Sequence, residues 1–160
     1  MDITQLLDIC ISDKLIDMVI SGQKNKSEDK AVKVRIRPVI LKNEIEYQVS
    51  EFVGRKVLHS NHSAADVKKK IIDYMTEDFK QAQINMTDAA ATILSSKSKT
   101  LTCKYKKAGQ LKVQRDLSHN RTKKYIIQEG KPVAFMIDLG VMGQDGKIIS
   151  CLLYTSDAAD

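Results

Sequence analysis

The sequence has no tryptophan, only 5% aromatic residues and three cysteines among its 160 residues. A hydrophobic content of 42% still allows an ordinary core, though one with few large side chains. Cys151 lies in a terminal segment that reads as non-native, which leaves Cys10 and Cys103. They stand far apart without C-x-x-C spacing, so neither a disulfide framework nor a structural zinc site is expected. A reduced, cytoplasmic protein fits that usage. No stretch approaches the ~18 consecutive apolar residues of a membrane span, so no membrane partner is expected. Residues 1–20 lack a basic start and contain Asp2, Asp8, Asp13 and Asp17, unlike a secretory signal. There is no internal repeat.

Catalytic constellations are also missing. His59 and His62 are three residues apart, but zinc requires three or four ligands, and no cysteine or carboxylate pair stands nearby. They are expected to be loop histidines without metal. No Ser/His/Asp or Cys/His grouping can be assembled, and Cys10 falls on an apolar helix face as a core residue. No catalytic and no metal-binding residue is therefore assigned.

What is present is unevenly placed charge. The chain carries a net +6. Between Lys97 and Lys124 stand ten cations (Lys97, Lys99, Lys104, Lys106, Lys107, Lys112, Arg115, Arg121, Lys123 and Lys124) and one acid, Asp116, so this segment is +9 and the remainder −3. Concentrated basic charge is the electrostatic footprint of a polyanion partner, although a solvated basic loop gives the same count. Lys33, Arg35 and Arg37 add three cations at alternate strand positions that could follow phosphates or pair across the sheet with Glu46 and its neighbours. The candidate nucleic-acid contacts are Lys33, Arg35, Arg37, Lys104, Lys106, Lys107, Arg121, Lys123 and Lys124.

Periodicity predicts an α+β fold of antiparallel hairpins packed with two or three helices. Apolar residues at spacings of three and four predict a helix over 3–20, stopped by Gly22. Gln23 to Lys30 is polar and reads as a loop. Val32, Val34 and Ile36, then Ile45, Tyr47 and Val49, alternate with polar residues around a Lys42-Asn43 turn. That pattern makes a hairpin with Ile40 facing Ile45, Ile36 facing Val49 and Arg37 facing Gln48. Pro38 marks its strand as an edge or as bulged. A third strand is expected over 55–59. Ser63 caps a second helix running to Phe79, with Asp66 completing a capping box, and Asp66–Lys70 and Lys69–Asp73 as i,i+4 pairs. Strands follow over 83–86, 90–95 and 100–105, the last two joined by a turn at 96–99. Residues 107–117 read as linker and 118–128 as a third helix closed by Gly130 and Pro132. Val133 to Leu139 reads as a strand, Gly143 to Gly146 as a turn, and Ile148-Ile149 as the start of its partner.

One stretch carries a resemblance. His119-Asn-Arg-Thr-Lys-Lys-Tyr125, the following Glu129-Gly-Lys-Pro-Val-Ala-Phe135, Leu139-Gly-Val-Met142 and Asp145-Gly-Lys147 resemble the H-N-R-x-K-x-Y, E-G-x-P-V-x-F and L-G-V-M signature of a family of bacterial class I S-adenosylmethionine-dependent methyltransferases. The signature positions are His119, Asn120, Arg121, Tyr125, Gly130, Pro132 and Gly140. Val34-Arg-Ile-Arg-Pro-Val39, Tyr47-Gln-Val49 and Phe79-Lys-Gln81 are similar to the same family's N-terminal region. Met136 stands where the family usually has leucine, and Lys124 at a commonly glutamine-like position.

The resemblance implies an accessory region ahead of a catalytic domain that holds S-adenosylmethionine in the full-length parent, with no cofactor bound by these residues. Residues 1–106 are then an accessory α+β domain, and 107–150 a basic linker, helix and strand leading to the catalytic domain. Asp138-Leu-Gly-Val-Met-Gly143 also resembles the acidic-x-Gly-x-Gly cofactor loop, with Met142 at the second glycine, but a strand followed by a turn is the safer reading. The expected function is substrate positioning, with RNA as the partner. His119 and Asn120 either cap the third helix or tie it to the catalytic domain. The alternatives are a stand-alone RNA- or ribosome-binding module and a structural interdomain or dimerisation arm. Cys151 to Asp160 reads as one frame of library-adapter DNA rather than native sequence, with the natural protein expected to continue past Ser150.

Overall fold

A computed structural model describes residues 1–109, 116–120, 126–128 and 130–149. The chain divides into two units, Met1–His119 and Asn120–Asp160.

The first unit is α+β, as its periodicity predicts. Helix α1 (Ile3–Cys10) is followed by strands β1 (Leu15–Gln23), β2 (Lys33–Leu41), β3 (Glu44–Val53) and β4 (Lys56–His62). Helix α2 (Ala64–Asp73) and a π-helical turn (Tyr74–Asp78) then lead to β5 (Phe79–Met86), β6 (Ala89–Ser95) and β7 (Leu101–Lys107). All seven strands form one antiparallel sheet in the order β4-β3-β2-β1-β5-β6-β7. β1 is central, and its Met18 lies in register with Ile36 on one side and Ile84 on the other. Leu6, Leu7 and Cys10 of α1 and Val67 and Ile71 of α2 bury against Met18, Ile20, Val34, Ile36, Val49, Ala82, Ile84 and Ile93. Both helices therefore cover the same face of the sheet.

The expected helix over 3–20 stops at Cys10. The Ser12 hydroxyl donates to the Ile9 carbonyl at 3.0 Å, satisfying a C-terminal carbonyl and turning the chain. Beyond it, Leu15, Met18 and Val19 fit a helical stripe, yet β-branched Ile16, Val19 and Ile20 favour the strand that forms. Gly22, read as a helix stop, sits near the end of β1 at φ 76°.

The β2–β3 hairpin has the expected register, with Ile40 opposite Ile45, Ile36 opposite Val49 and Arg37 opposite Gln48. Lys42 and Asn43 form its turn at φ 50° and 65°, the left-handed pair of a type I′ turn. Asparagine tolerates that region and lysine does not. Replacing Lys42-Asn43 with Asn-Gly is therefore expected to stabilise the unit by about 1 kcal/mol, read as a raised thermal midpoint. An unchanged midpoint would mean that the left-handed lysine is not strained.

Pro38 does not mark an edge, because β2 lies between β1 and β3. The ladder passes through Pro38 opposite Tyr47 without a break, and the irregularity is instead in β1, between Leu15 and Asp17. The Ile40 N–H points away from β3, donating to the Leu117 carbonyl at 2.9 Å. By strand alternation the nitrogen of Pro38 points the same way, so proline removes no β2–β3 bond. The ladder to β1 extends only to Ile36 opposite Met18.

Ser63 caps α2 by accepting from the Asp66 N–H at 3.3 Å, but the Asp66 carboxylate receives the Ser63 hydroxyl rather than closing the box on the backbone. The cations of α2 also reach other partners than expected: Lys68 meets Asp8 at 2.7 Å, and Lys70 lies 6.0 Å from the Tyr74 ring centre. The helix ends before Phe79, which instead begins β5. Lys24 supports this exit, its ammonium donating to the carbonyls of Met75 at 3.0 Å and Thr76 at 2.6 Å.

In the second unit, the apolar run read as a strand over 133–139 is helix α3 (Ala134–Asp138). Periodicity cannot separate strand from helix in so short an apolar run, and Val133, Phe135 and Ile137 suited either. Residues 118–120 and 126–128, read within a helix, are not helical, and residues 121–125 lie outside the described residues. Met142 and Ile148 form an isolated antiparallel bridge around the expected 143–146 turn. A Cβ on Gly146 would fall 2.5 Å from the Gly130 carbonyl carbon, so only glycine permits this backbone approach.

Candidate nucleic-acid interface

With α1 and α2 on one face, the described residues of the first unit leave the other face of the sheet open over most of its area. Cross-strand pairs share a face, so the registers define what it displays. One row runs Val57, Phe52, Lys33, Ser21, Gln81, Leu94, Thr102. The next runs His59, Ser50, Arg35, Val19, Gln83, Thr92, Lys104. A third level carries Asn61, Gln48 and Arg37 on one side and Asp17, Asn85, Ala90 and Lys106 on the other. These rows hold five cations and a single carboxylate, Asp17.

The cations differ in availability. Arg35 meets Asp17 at 2.9 Å, and Asn85 donates to the same carboxylate. Arg37 donates to Gln48 at 3.1 Å and to the carbonyls of Ser118 and His119 at 3.0 and 2.9 Å. It anchors residues 116–119, which lie over this end of the face. Val39, Gln48 and Ser50 of this face are buried. Arg37, expected as a phosphate contact, is thus held by protein acceptors. Lys33, Lys104 and Lys106 are exposed and form no ion pair among the described residues. The Lys33 ammonium lies 5.0 Å from the Phe52 ring centre. Lys107 pairs with Ala89, a core residue, and so stands on the helix-bearing side, apart from Lys104 and Lys106. Arg121, Lys123 and Lys124 lie outside the described residues.

His59 and His62 are on β4 rather than in a loop, with ring nitrogens 2.8 Å from the hydroxyls of Ser50 and Ser60. No metal-ligating cluster of three exists among the described residues. Cys10 is buried, and burial pushes its thiol up to about 11, so it stays protonated and unreactive. Asp138 ends a helix rather than a strand, so the described residues do not fit an acidic-x-Gly-x-Gly cofactor loop, which needs its acid at a strand end. The His119 carbonyl accepts from Arg37 and its ring lies 3.4 Å from Asn61, while the expected helix it would cap extends over residues outside the described ones. Of the other signature positions, Gly130 and Gly140 are left-handed at φ 83° and 72°, Asn120 and Pro132 are exposed, and Tyr125 lies outside the described residues. No described helix is long and apolar enough to cross a membrane.

Gln81, Gln83 and Asn85, the central donors of the open face, were not singled out from sequence. Their alternation with Ala82, Ile84 and Met86 is the signal that marks them, and β5 begins at Phe79, ahead of the strand expected over 83–86. No protein family, curated protein or solved structure matches the chain.

Proposed function

We propose that this chain is the RNA-positioning part of a class I S-adenosylmethionine-dependent methyltransferase and that single-stranded RNA lies along the open sheet face. One observation carries the RNA half: Lys33, Lys104 and Lys106 form no ion pair among the described residues and stand on an open face whose remaining side chains are mostly amide, hydroxyl and small. Cations there neutralise phosphates, and amides offer donors and acceptors to base edges. Half-buried Phe52 beside Lys33 places an aromatic ring next to a cation, the pairing on which unpaired bases stack. The methyltransferase half is supported by the 119–147 signature, and the methyl donor is assigned to a catalytic domain outside these residues. S-adenosylmethionine supplies the methyl group there, while the residues described here bind and orient the strand.

The RNA half is tested by measuring affinity for a short single-stranded RNA across salt concentrations. Three unpaired lysines at ~0.7 per phosphate predict a log–log slope of about −2. A slope near zero would leave a structural arm as the better reading. The methyltransferase half is tested by incubating the full-length parent with methyl-labelled S-adenosylmethionine and total RNA. Label is expected in RNA, and its absence would leave an RNA-binding module without methyl transfer.

A further inference from the structure

A second basic site lies on the helix-bearing side of the sheet, where the π-helical turn crosses the ends of β5 and β6. A cavity of about 540 Å³ is lined there by Lys24, Lys80, Lys97, Lys99, Ser95 and Glu77, among others. Its lining includes four lysines and one acidic residue. Glu77 is fully engaged by Lys99, at 2.7 and 2.8 Å. Lys24 directs two of its three N–H donors to the carbonyls of Met75 and Thr76. Lys80 and Lys97 form no ion pair among the described residues. The Ser95 hydroxyl oxygen is buried with no hydrogen-bond partner among the described residues.

Like charges converging on a cavity repel, and a buried hydroxyl without a partner is costly to keep. Both are relieved by an anion rich in oxygens, larger than a lone halide, that accepts from several donors at once. We infer that this cavity binds a phosphate group, with Lys80 and Lys97 neutralising it and the Ser95 hydroxyl turning outward to donate to one of its oxygens. It is independent of the RNA contact on the opposite face. The phosphate comes either from a small phosphorylated compound or from the end of an RNA strand.

The test is titration of inorganic pyrophosphate into the whole chain with backbone amide shifts followed by NMR. Shifts are expected at Lys80 and over 95–99. The combined Lys80→Ala and Lys97→Ala variant is expected to bind at least about tenfold more weakly, and Ser95→Ala several-fold more weakly. Both lysines are exposed, so their loss leaves the core intact. Lys56→Ala, on distant β4, should change nothing. A short RNA made with a 5′ phosphate or a 5′ hydroxyl then separates the sources. Tighter binding of the phosphorylated form, lost in the double variant, identifies an RNA end. Equal binding of the two forms, with pyrophosphate still bound, identifies a small phosphorylated compound. No shift at these residues, or equal pyrophosphate affinity in the double variant, overturns the site.

Discussion

Replacing Phe79 with alanine is expected to cost about 3–5 kcal/mol, measured by urea or guanidinium unfolding. Phe79 is the largest fully buried side chain in the first unit, only 1% exposed at the point where the π-helical turn becomes β5. Its ring meets Tyr74 edge to face, with centres 5.9 Å apart and planes at 72°. Tyr74 in turn donates its hydroxyl to the Glu51 carboxylate, linking the turn to β3. Burial, reinforced by that carboxylate, keeps the Tyr74 hydroxyl protonated well above the ordinary tyrosine range. The alanine variant leaves a cavity and also removes the ring that positions Tyr74. Against a typical total stability of about 5–15 kcal/mol, such a loss brings a small domain close to unfolding. Phe79→Leu keeps most of the volume and is expected to cost about 1–2 kcal/mol. If both variants unfold at nearly the same denaturant concentration as the parent, the core does not depend on this junction.

The parts of the fold that were legible in the sequence are those set by neighbouring residues. The β2–β3 register follows from period-2 alternation around Lys42-Asn43, and the start of α2 from Ser63. Misread elements had two local solutions. Leu15, Met18 and Val19 suit a helical stripe as well as a strand, and only the Ser12 hydroxyl on Ile9 shows where the helix stops. The run from Val133 to Leu139 was too short for its period to decide. Phe79 fits the inner stripe of α2, yet the π-helical turn adds enough backbone to rotate it onto the sheet.

The candidate interface was only half legible, for a different reason. Alternation put Lys33, Arg35 and Arg37 on one face of β2, and Lys104 and Lys106 on one face of β7. That the two sets share a face depends on four successive cross-strand registers, some between residues far apart in sequence, such as Asp17 with Asn85, 68 positions away. That the shared face is bare depends on both helices landing opposite. Neither fact is local. The same distance explains why Arg37 looked available: its acceptors at Ser118 and His119 lie some eighty residues away in sequence.

Reversing the charge of Lys104 and Lys106 together, as Lys104→Glu with Lys106→Glu, is expected to weaken binding of single-stranded RNA by about 30- to 100-fold near 0.1 M salt. It should also reduce the log–log salt slope from about −2 to about −0.7, the contribution left to Lys33. The stability change should stay within about 0.5 kcal/mol, since both side chains are exposed, form no ion pair among the described residues and are set beside Thr92 and Ala90 rather than a carboxylate. The slope separates the possible outcomes. If affinity falls while the slope stays the same, the variant has disturbed the sheet rather than removed phosphate contacts. If neither changes, the strand does not cross β7, and the basic residues at 121–124 become the place to seek its contacts. If both fall together, with unfolding unaltered, phosphates meet the open face at its β7 edge. Phe52 and Lys33 would then mark the other end of the bound strand, and Phe52→Ala should weaken binding by roughly tenfold through lost base stacking.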